Sequence, residues 1–247
     1  MLETRDLTIR FGGHIAVDAV SATFRPGELT ALVGPNGAGK TTFFNLISGQ
    51  LRASSGSVRL QGRDITRLDA PRRARLGIGR AFQLTNLFAG LSVAENVRLA
   101  VQAHAGLHYD MWRRWRSHTE VIEGAKLALA RVGLQARAGD PVAALSHGDQ
   151  RKLEVALMIA LEPQVMMFDE PTAGMSVDEA PRVLDLIAEL KQDKTRTILL
   201  VEHKMDVVRS LADRIVVLHN GRLMADGAPA EVMASAIVRD AYLGAAA

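Results

Sequence analysis

No cysteine occurs in the 247 residues. Disulfides, thiolate metal sites and cysteine nucleophiles are therefore excluded, which fits a reducing compartment. Charge of one sign is also lacking. Thirty Lys and Arg stand against 27 Asp and Glu, a formal net charge of +3 with no basic tail, so nucleic acid is not an expected partner. No run reaches the ~18 apolar residues needed to cross a bilayer. The longest candidate, Val155 to Met167, is broken by Glu162 and Pro163. The opening Met-Leu-Glu-Thr-Arg-Asp has no basic head leading into an apolar run, so no signal peptide is expected. Any membrane role is expected to come through a partner, with the chain itself on the cytoplasmic side. There is no internal repeat, and no low-complexity tract beyond Ala245-Ala246-Ala247.

What is present is a chain 48% hydrophobic, long enough to bury a sizeable core. Leu2 to Phe11 alternates apolar and polar residues up to Gly12-Gly13, and Ile15 to Phe24 follows. Together they read as a strand pair joined by a turn. Leu29 to Val33, Ser57 to Leu60, Val165 to Phe168 and Thr197 to Val201 are further short strands. Helical segments are expected at Lys40 to Ser48, closed by Gly49, and at Val177 to Leu190. Ser176 and Glu179 suit a capping box at the start of the second, although Pro181 leaves its register open. Asn220-Gly221, between Arg214 to Leu218 and Arg222 to Ala225, signals a hairpin. Residues 91 to 134, rich in Ala, Leu, Arg and Glu, predict a helical insert. Strands alternating with helices imply an α/β fold around a mostly parallel sheet covered on both faces.

Gly34-Pro35-Asn36-Gly37-Ala38-Gly39-Lys40-Thr41 is Gly, four residues, Gly-Lys-Thr, after a strand and opening a helix. That is the phosphate-loop pattern. A polyphosphate needs several amide N–H groups aimed at one point, and glycines let the backbone curl that tightly. The following helix, with Thr42 also in its first turn, presents its positive end to the anion. Lys40 supplies charge to the outer phosphates, and the Thr41 hydroxyl is placed to ligate magnesium. Asp169-Glu170 ends the apolar run Val165 to Phe168, at the carboxyl end of a buried strand where ligands bind. Asp169 is suited to hold magnesium through water, and Glu170 to polarise the attacking water.

The other motifs carry a resemblance. Leu145-Ser146-His147-Gly148-Asp149-Gln150-Arg151, just ahead of Asp169-Glu170, resembles the Leu-Ser-Gly-Gly-Gln signature of ABC ATPases. Gln83 resembles that family's glutamine loop, His203 its switch histidine, and Phe11 the aromatic that stacks on adenine. All stand in the family's order and span essentially the whole chain. Arg80-Ala81-Phe82-Gln83, Ala173-Gly174-Met175-Ser176, Val201-Glu202-His203-Lys204-Met205 and the ending Ala241-Tyr242-Leu243-Gly244 resemble the ATP-binding subunits of branched-chain amino acid importers. The fold implied is a phosphate-loop nucleotide-binding domain with an antiparallel β subdomain. Residues 1–88 and 158–247 would form the core, and 89–157 a helical subdomain carrying the signature.

The resemblance implies two ATP-binding subunits stacked head to tail. ATP and Mg2+ would be held by the phosphate loop, Phe11 and Gln83 of one subunit, and by Ser146, His147 and Gly148 of the other. Thr41, Gln83 and Asp169 are the implied metal ligands, and Glu170, His203 and Lys40 the catalytic groups. The implied partners are transmembrane subunits, a second ATP-binding subunit that is either a copy or a paralogue, and, indirectly, a solute-binding protein. The implied location is the inner face of the plasma membrane. Two functions compete with import: a lipopolysaccharide-export ATPase, which shares the Tyr-Leu-Gly ending, and a soluble ABC ATPase acting on ribosomes or DNA, which commonly carries two cassettes or a long coiled-coil insert. Three positions depart from the family pattern: His147 and Asp149 in the signature, and Ser176 where aspartate is usual. Met111-Trp112-Arg113-Arg114-Trp115-Arg116 reads either as a helix with Trp packed inward or as a surface for lipid headgroups or nucleic acid.

Overall fold

The computed structural model describes residues 1–81, 87–107 and 119–235. Gln83, the Met111 to Arg116 stretch and the Ala241 to Gly244 ending lie outside the described residues.

Ten strands and eight α-helices are present among them. The strands are β1 (Leu2–Phe11), β2 (His14–Phe24), β3 (Leu29–Val33), β4 (Ser55–Leu60), β5 (Arg63–Asp64), β6 (Ile78–Ala81), β7 (Val165–Asp169), β8 (Thr197–Val201), β9 (Arg214–His219) and β10 (Arg222–Gly227). The helices are α1 (Lys40–Ser48), α2 (Ala70–Arg75), α3 (Val93–His104), α4 (Thr119–Arg131), α5 (His147–Leu161), α6 (Ala180–Leu190), α7 (Met205–Leu211) and α8 (Pro229–Ala234). One sheet has the order β2-β1-β4-β5 and its pairs are antiparallel. The other has the order β10-β9-β3-β8-β7-β6. In it β9, β3, β8 and β7 run parallel, and β10 closes antiparallel on β9. Asn220 and Gly221 both take positive φ, 49° and 76°, as a tight hairpin between twisted strands requires.

Strand periodicity divides the core. Leu32, Val216 and Leu218 face one cluster with Phe43, Phe44 and Ile47 of α1 and with Leu2, Leu7 and Phe24 of the antiparallel sheet. Their neighbours Ala31, Val33, Ile215 and Val217 face the other side, against Val208 of α7 and Val232 of α8. Fully buried β3, β7 and β8 thus read as continuous apolar runs, because both faces of the parallel sheet are covered.

Two compact units are present: 1–80 with 164–170 and 188–247, and 81–163 with 171–187. The second includes 171–187. In it α3, α4 and α5 pack on one another. α3 and α5 start at Ser92 and Ser146, each of whose hydroxyls accepts the N–H three residues on. α6 starts at Ala180 rather than Val177, with Pro181 in its first turn, where a missing N–H costs little. The Ser176–Glu179 capping box is nevertheless formed: Glu179 N–H donates to Ser176 Oγ at 3.3 Å and Ser176 N–H to Glu179 Oε2 at 3.4 Å. No helix among the described residues is long and apolar enough to cross a membrane.

Candidate active site

Register brings the site together. Leu32 of β3 pairs with Val201 of β8, and Val201 with Asp169 of β7. Three parallel strands therefore end side by side. The segments leaving them, 34–39, 170 and 202–203, emerge at one edge, the usual place for a ligand in an open α/β sheet.

The loop after β3 curls so that Gly39, the N-cap of α1, takes the left-handed conformation with φ 95°. A Cβ at Gly39 would lie 2.4 Å from the carbonyl oxygen of Ala16. A side chain is thus excluded by both φ and space. No side chain caps the N-terminus of α1, and its first turn carries no acidic residue. These donors and the helix dipole suit an anion. Asn36, Gly37, Ala38, Gly39, Lys40, Thr41 and Thr42 line a cavity of about 320 Å³ together with His14, Ala16, Glu170 and His203.

Lys40 is buried and its Nζ donates to the carbonyls of its own loop, Gly34 at 2.7 Å and Pro35 at 3.0 Å. Burial pushes its pKa down, and the charges of Glu170 and Asp169 push it back up. Asp169 is also buried, which raises its pKa against the lowering effect of Arg80. Arg80 Nη2 donates to Asp169 Oδ2 at 2.5 Å. The next residue, Glu170, holds a left-handed φ of 53° while its N–H donates to the Val201 carbonyl at 2.9 Å. Strain of this kind persists where surrounding structure over-determines it. Glu170 Oε1 lies 2.8 Å from His203 Nε2. The buried Glu202 carboxylate accepts the N–H groups of His203 and Lys204, at 2.8 and 3.2 Å, and so fixes the turn that carries the histidine. Thr41 and Asp169 offer hard oxygen donors, the set that Mg2+ takes when substrate phosphates and water complete its shell.

Phe11 ends β1 with 49% of its surface exposed, and it is not among the residues lining the cavity. Ser146, His147 and Gly148 sit at the start of α5, in the helical unit. There Asp149 does not point free charge at the helix end. Its carboxylate is held by Lys152 at 2.7 Å and Arg137 at 3.4 Å. Three residues go beyond the sequence reading. His14 and Ala16 line the cavity, and Arg80, quoted only as part of a family motif, contacts Asp169. Only the position of His14, just after Phe11-Gly12-Gly13, hinted at the first.

The family model for the ABC transporter matches residues 17–173. A second model, for the branched-chain amino acid ATP-binding cassette transporter, matches 222–247. The chain is 38% identical to the high-affinity branched-chain amino acid transport ATP-binding protein LivG of Salmonella typhimurium, over 100% of this chain and 98% of the relative. It is 38% identical to BraF of Pseudomonas aeruginosa, described in the same words, with the same coverage. A solved ATP-binding cassette of an ABC transporter in its ADP conformation superposes with a TM-score of 0.84 at 28% identity, covering 99% of this chain and 98% of that one. The chain belongs to the ABC transporter family, as a nucleotide-binding subunit that couples ATP hydrolysis to transport.

Proposed function

We propose that this subunit drives import of branched-chain amino acids or similar small solutes. It works from the inner face of the plasma membrane, against transmembrane subunits fed by a solute-binding protein. The observation that carries this reading is the full-length likeness to LivG and BraF, whose names specify high-affinity branched-chain amino acid transport. The match of 222–247 to the branched-chain model supports it from outside the shared ATPase motifs.

The residues divide the work as follows. The loop 34–39 and the first turn of α1, through Lys40, Thr41 and Thr42, bind the phosphates with N–H groups and the ammonium. Phe11 offers an open ring face to adenine. Thr41 and Asp169, with Gln83, would hold Mg2+, which would neutralise charge on the outer phosphates. Glu170 orients the attacking water and accepts its proton. His203 holds Glu170 and the outer phosphate. Ser146, His147 and Gly148 serve the nucleotide of a second ATP-binding subunit, where the positive end of α5 meets charge developing on the transferred phosphate.

The test is uptake of labelled leucine, isoleucine and valine by cells lacking this gene. The expected result is loss of that uptake, restored by the wild-type chain and not by Glu170→Gln. Unchanged uptake, or co-purification with export-type membrane subunits, overturns the import reading and leaves the ATPase standing.

A further inference from the structure

Asp169, at the end of β7, and Arg80, near the end of β6, face each other with side chains only 4% and 7% exposed. Nη2 of the guanidinium donates to Asp169 Oδ2 at 2.5 Å. Nη1 reaches the other way, to Asn45 Oδ1 at 2.5 Å, Gln50 Oε1 at 2.9 Å and Ser48 Oγ at 3.1 Å. Asn45 and Ser48 belong to α1, and Gln50 follows its C-cap. The guanidinium carbon also stands 5.6 Å from the centroid of Phe44, again in α1. One planar group thus grips the strand that carries Asp169 and the helix that carries Thr41.

We infer that Arg80 is a positioning residue for metal binding: its guanidinium holds Asp169 Oδ2 and the side chains of α1 together, and so sets where Asp169 stands relative to Thr41. The inference rests on the reading of Thr41 and Asp169 as metal donors. In this role Arg80 acts through Asp169 rather than on the nucleotide. The physical reason is the fork. A guanidinium presents several donors in a fixed plane and fixes two directions at once, which a lysine ammonium does not. With Oδ2 held by the guanidinium, Asp169 would meet a metal shell in one fixed orientation. Groups that orient a metal-binding carboxylate in this way typically govern affinity by about 10–100-fold.

The experiment is equilibrium binding of a fluorescent ATP analogue to the purified full chain, in excess Mg2+ and in EDTA, so the readout is the metal-dependent gain in affinity rather than turnover. The variants are Arg80→Met, Arg80→Lys, Asn45→Ala and Asp169→Asn. Arg80→Met is expected to lose about tenfold or more of the Mg2+-dependent gain, with EDTA affinity changed by less than about twofold, and Arg80→Lys to recover part of the loss. Electron paramagnetic resonance of Mn2+ bound with ATP should show an altered signal in the same variants. If Arg80→Met does not fold, Asn45→Ala loosens the α1 end of the grip without stranding a buried charge, and should show the same selective loss. Equal losses with and without metal, or an unchanged metal dependence in folded Arg80→Lys and Asn45→Ala, overturn the inference. Asp169→Asn separates the two levels. If it abolishes the Mg2+ gain while the Arg80 and Asn45 variants keep it, only this inference fails. If it too keeps the gain, the metal reading of the site fails with it.

Discussion

His203 Nε2 stands 2.8 Å from Glu170 Oε1, so the imidazole and the carboxylate at the ends of two neighbouring parallel strands form one hydrogen-bonded pair. Each partner is also fixed through its backbone, Glu170 on the Val201 carbonyl and His203 on the Glu202 carboxylate. A carboxylate held at this edge of the cavity is placed to take a proton from water. Glu170→Gln keeps the shape and removes the proposed base. Phosphate release should fall by ~10²–10⁴-fold while nucleotide binding survives. Light scattering of this variant with Mg2+ and ATP should show a dimer. A persistent monomer at high concentration would sink the shared-nucleotide arrangement for the isolated subunit.

Gly39→Ala addresses the anion cradle. The new methyl would meet the Ala16 carbonyl at 2.4 Å, and φ would remain at 95°. Backbone cannot give way as the end of a side chain can, so the loop must reshape. A left-handed non-glycine residue costs ~1–3 kcal/mol, so the melting temperature of the free protein should drop. The upward shift of that temperature by excess ATP measures occupancy of the folded state, and it should largely vanish. A variant that melts lower yet keeps the full ATP shift would show that the loop tolerates the methyl.

Gly148→Ala separates stability from cross-subunit function. Here the methyl would lie 2.4 Å from Glu179 Oε1, the free end of a flexible side chain that also reaches Ser146 and Ser176. That carboxylate must move, which loosens its bonds to Ser146 and Ser176, and the ~0.5–1 kcal/mol that alanine in a helix gains over glycine offsets the loss. Net stability should therefore change by less than about 1 kcal/mol. ATP binding to the subunit's own phosphate loop should also hold. The ATP-dependent dimer of the Glu170→Gln background should weaken, as read by light scattering. An unaffected dimer would remove Gly148 from the shared site.

The local geometry of 34–41 and of Asp169-Glu170 was legible because consecutive residues carry it: each follows a buried strand, and 34–39 leads into α1. The hairpin at Asn220-Gly221 was legible for the same local reason. Ser176 and Glu179 were read as a cap, and they form one, but the helix waits until Ala180. Sequence spacing alone does not fix which turn begins after a cap. The short elements α2, β5 and β6 were missed, since two to six residues give no clear period. Arg80 was missed as a site residue because its role depends on Asp169, 89 positions away. Only the placing of β6 beside β7 in the sheet brings that pair together. The Glu179–Gly148 contact is of the same kind: each residue looks ordinary until 171–187 packs with the signature.

Acid should reveal Asp193. Its carboxylate accepts from Thr195 Oγ1 at 2.6 Å, Thr195 N–H at 3.0 Å and Arg196 Nε at 2.6 Å. The Thr195 hydroxyl, then Arg196, hold its pKa down at about 2, against the ordinary 3.8. A carboxyl depressed in the folded state contributes stability above its unfolded value and loses it as pH falls through the folded one. The contribution should be constant above about pH 4 and fade between about 3.8 and about 2. The group is largely solvated, so its size should stay below ~1 kcal/mol. Urea midpoints of wild type and Asp193→Asn should differ slightly at pH 6 and converge as pH approaches 2. A gap that widens on acidification would contradict the assignment.

Arg73 presents the opposite situation, a buried cation whose hydrogen-bond acceptors are all backbone carbonyls. It is 1% exposed and donates to Leu46 O, Ile47 O, Thr66 O and Leu68 O at 2.6 to 2.9 Å. Leu46 and Ile47 are in the last turn of α1, whose carbonyls have no partner within the helix. A cation there also complements the negative end of the helix dipole. Burial lowers the guanidinium pKa to about 10, so it stays charged near neutrality. Arg73→Met relieves the buried charge but strands four carbonyls. A buried unsatisfied polar group costs ~1–3 kcal/mol, and the relief offsets part of the sum, so a loss of ~2–4 kcal/mol is expected. Arg73→Lys should recover little, since one ammonium with three donors cannot span four acceptors around a plane. The proposed donors to phosphate lie at the other end of α1, so ATP affinity of the folded variant should change by no more than about threefold, well inside the tenfold that ~1.4 kcal/mol represents. Urea unfolding with and without ATP checks both. Unchanged stability in Arg73→Met would mean that water or local rearrangement satisfies those carbonyls, and that Arg73 is not what secures the far end of the phosphate-binding helix.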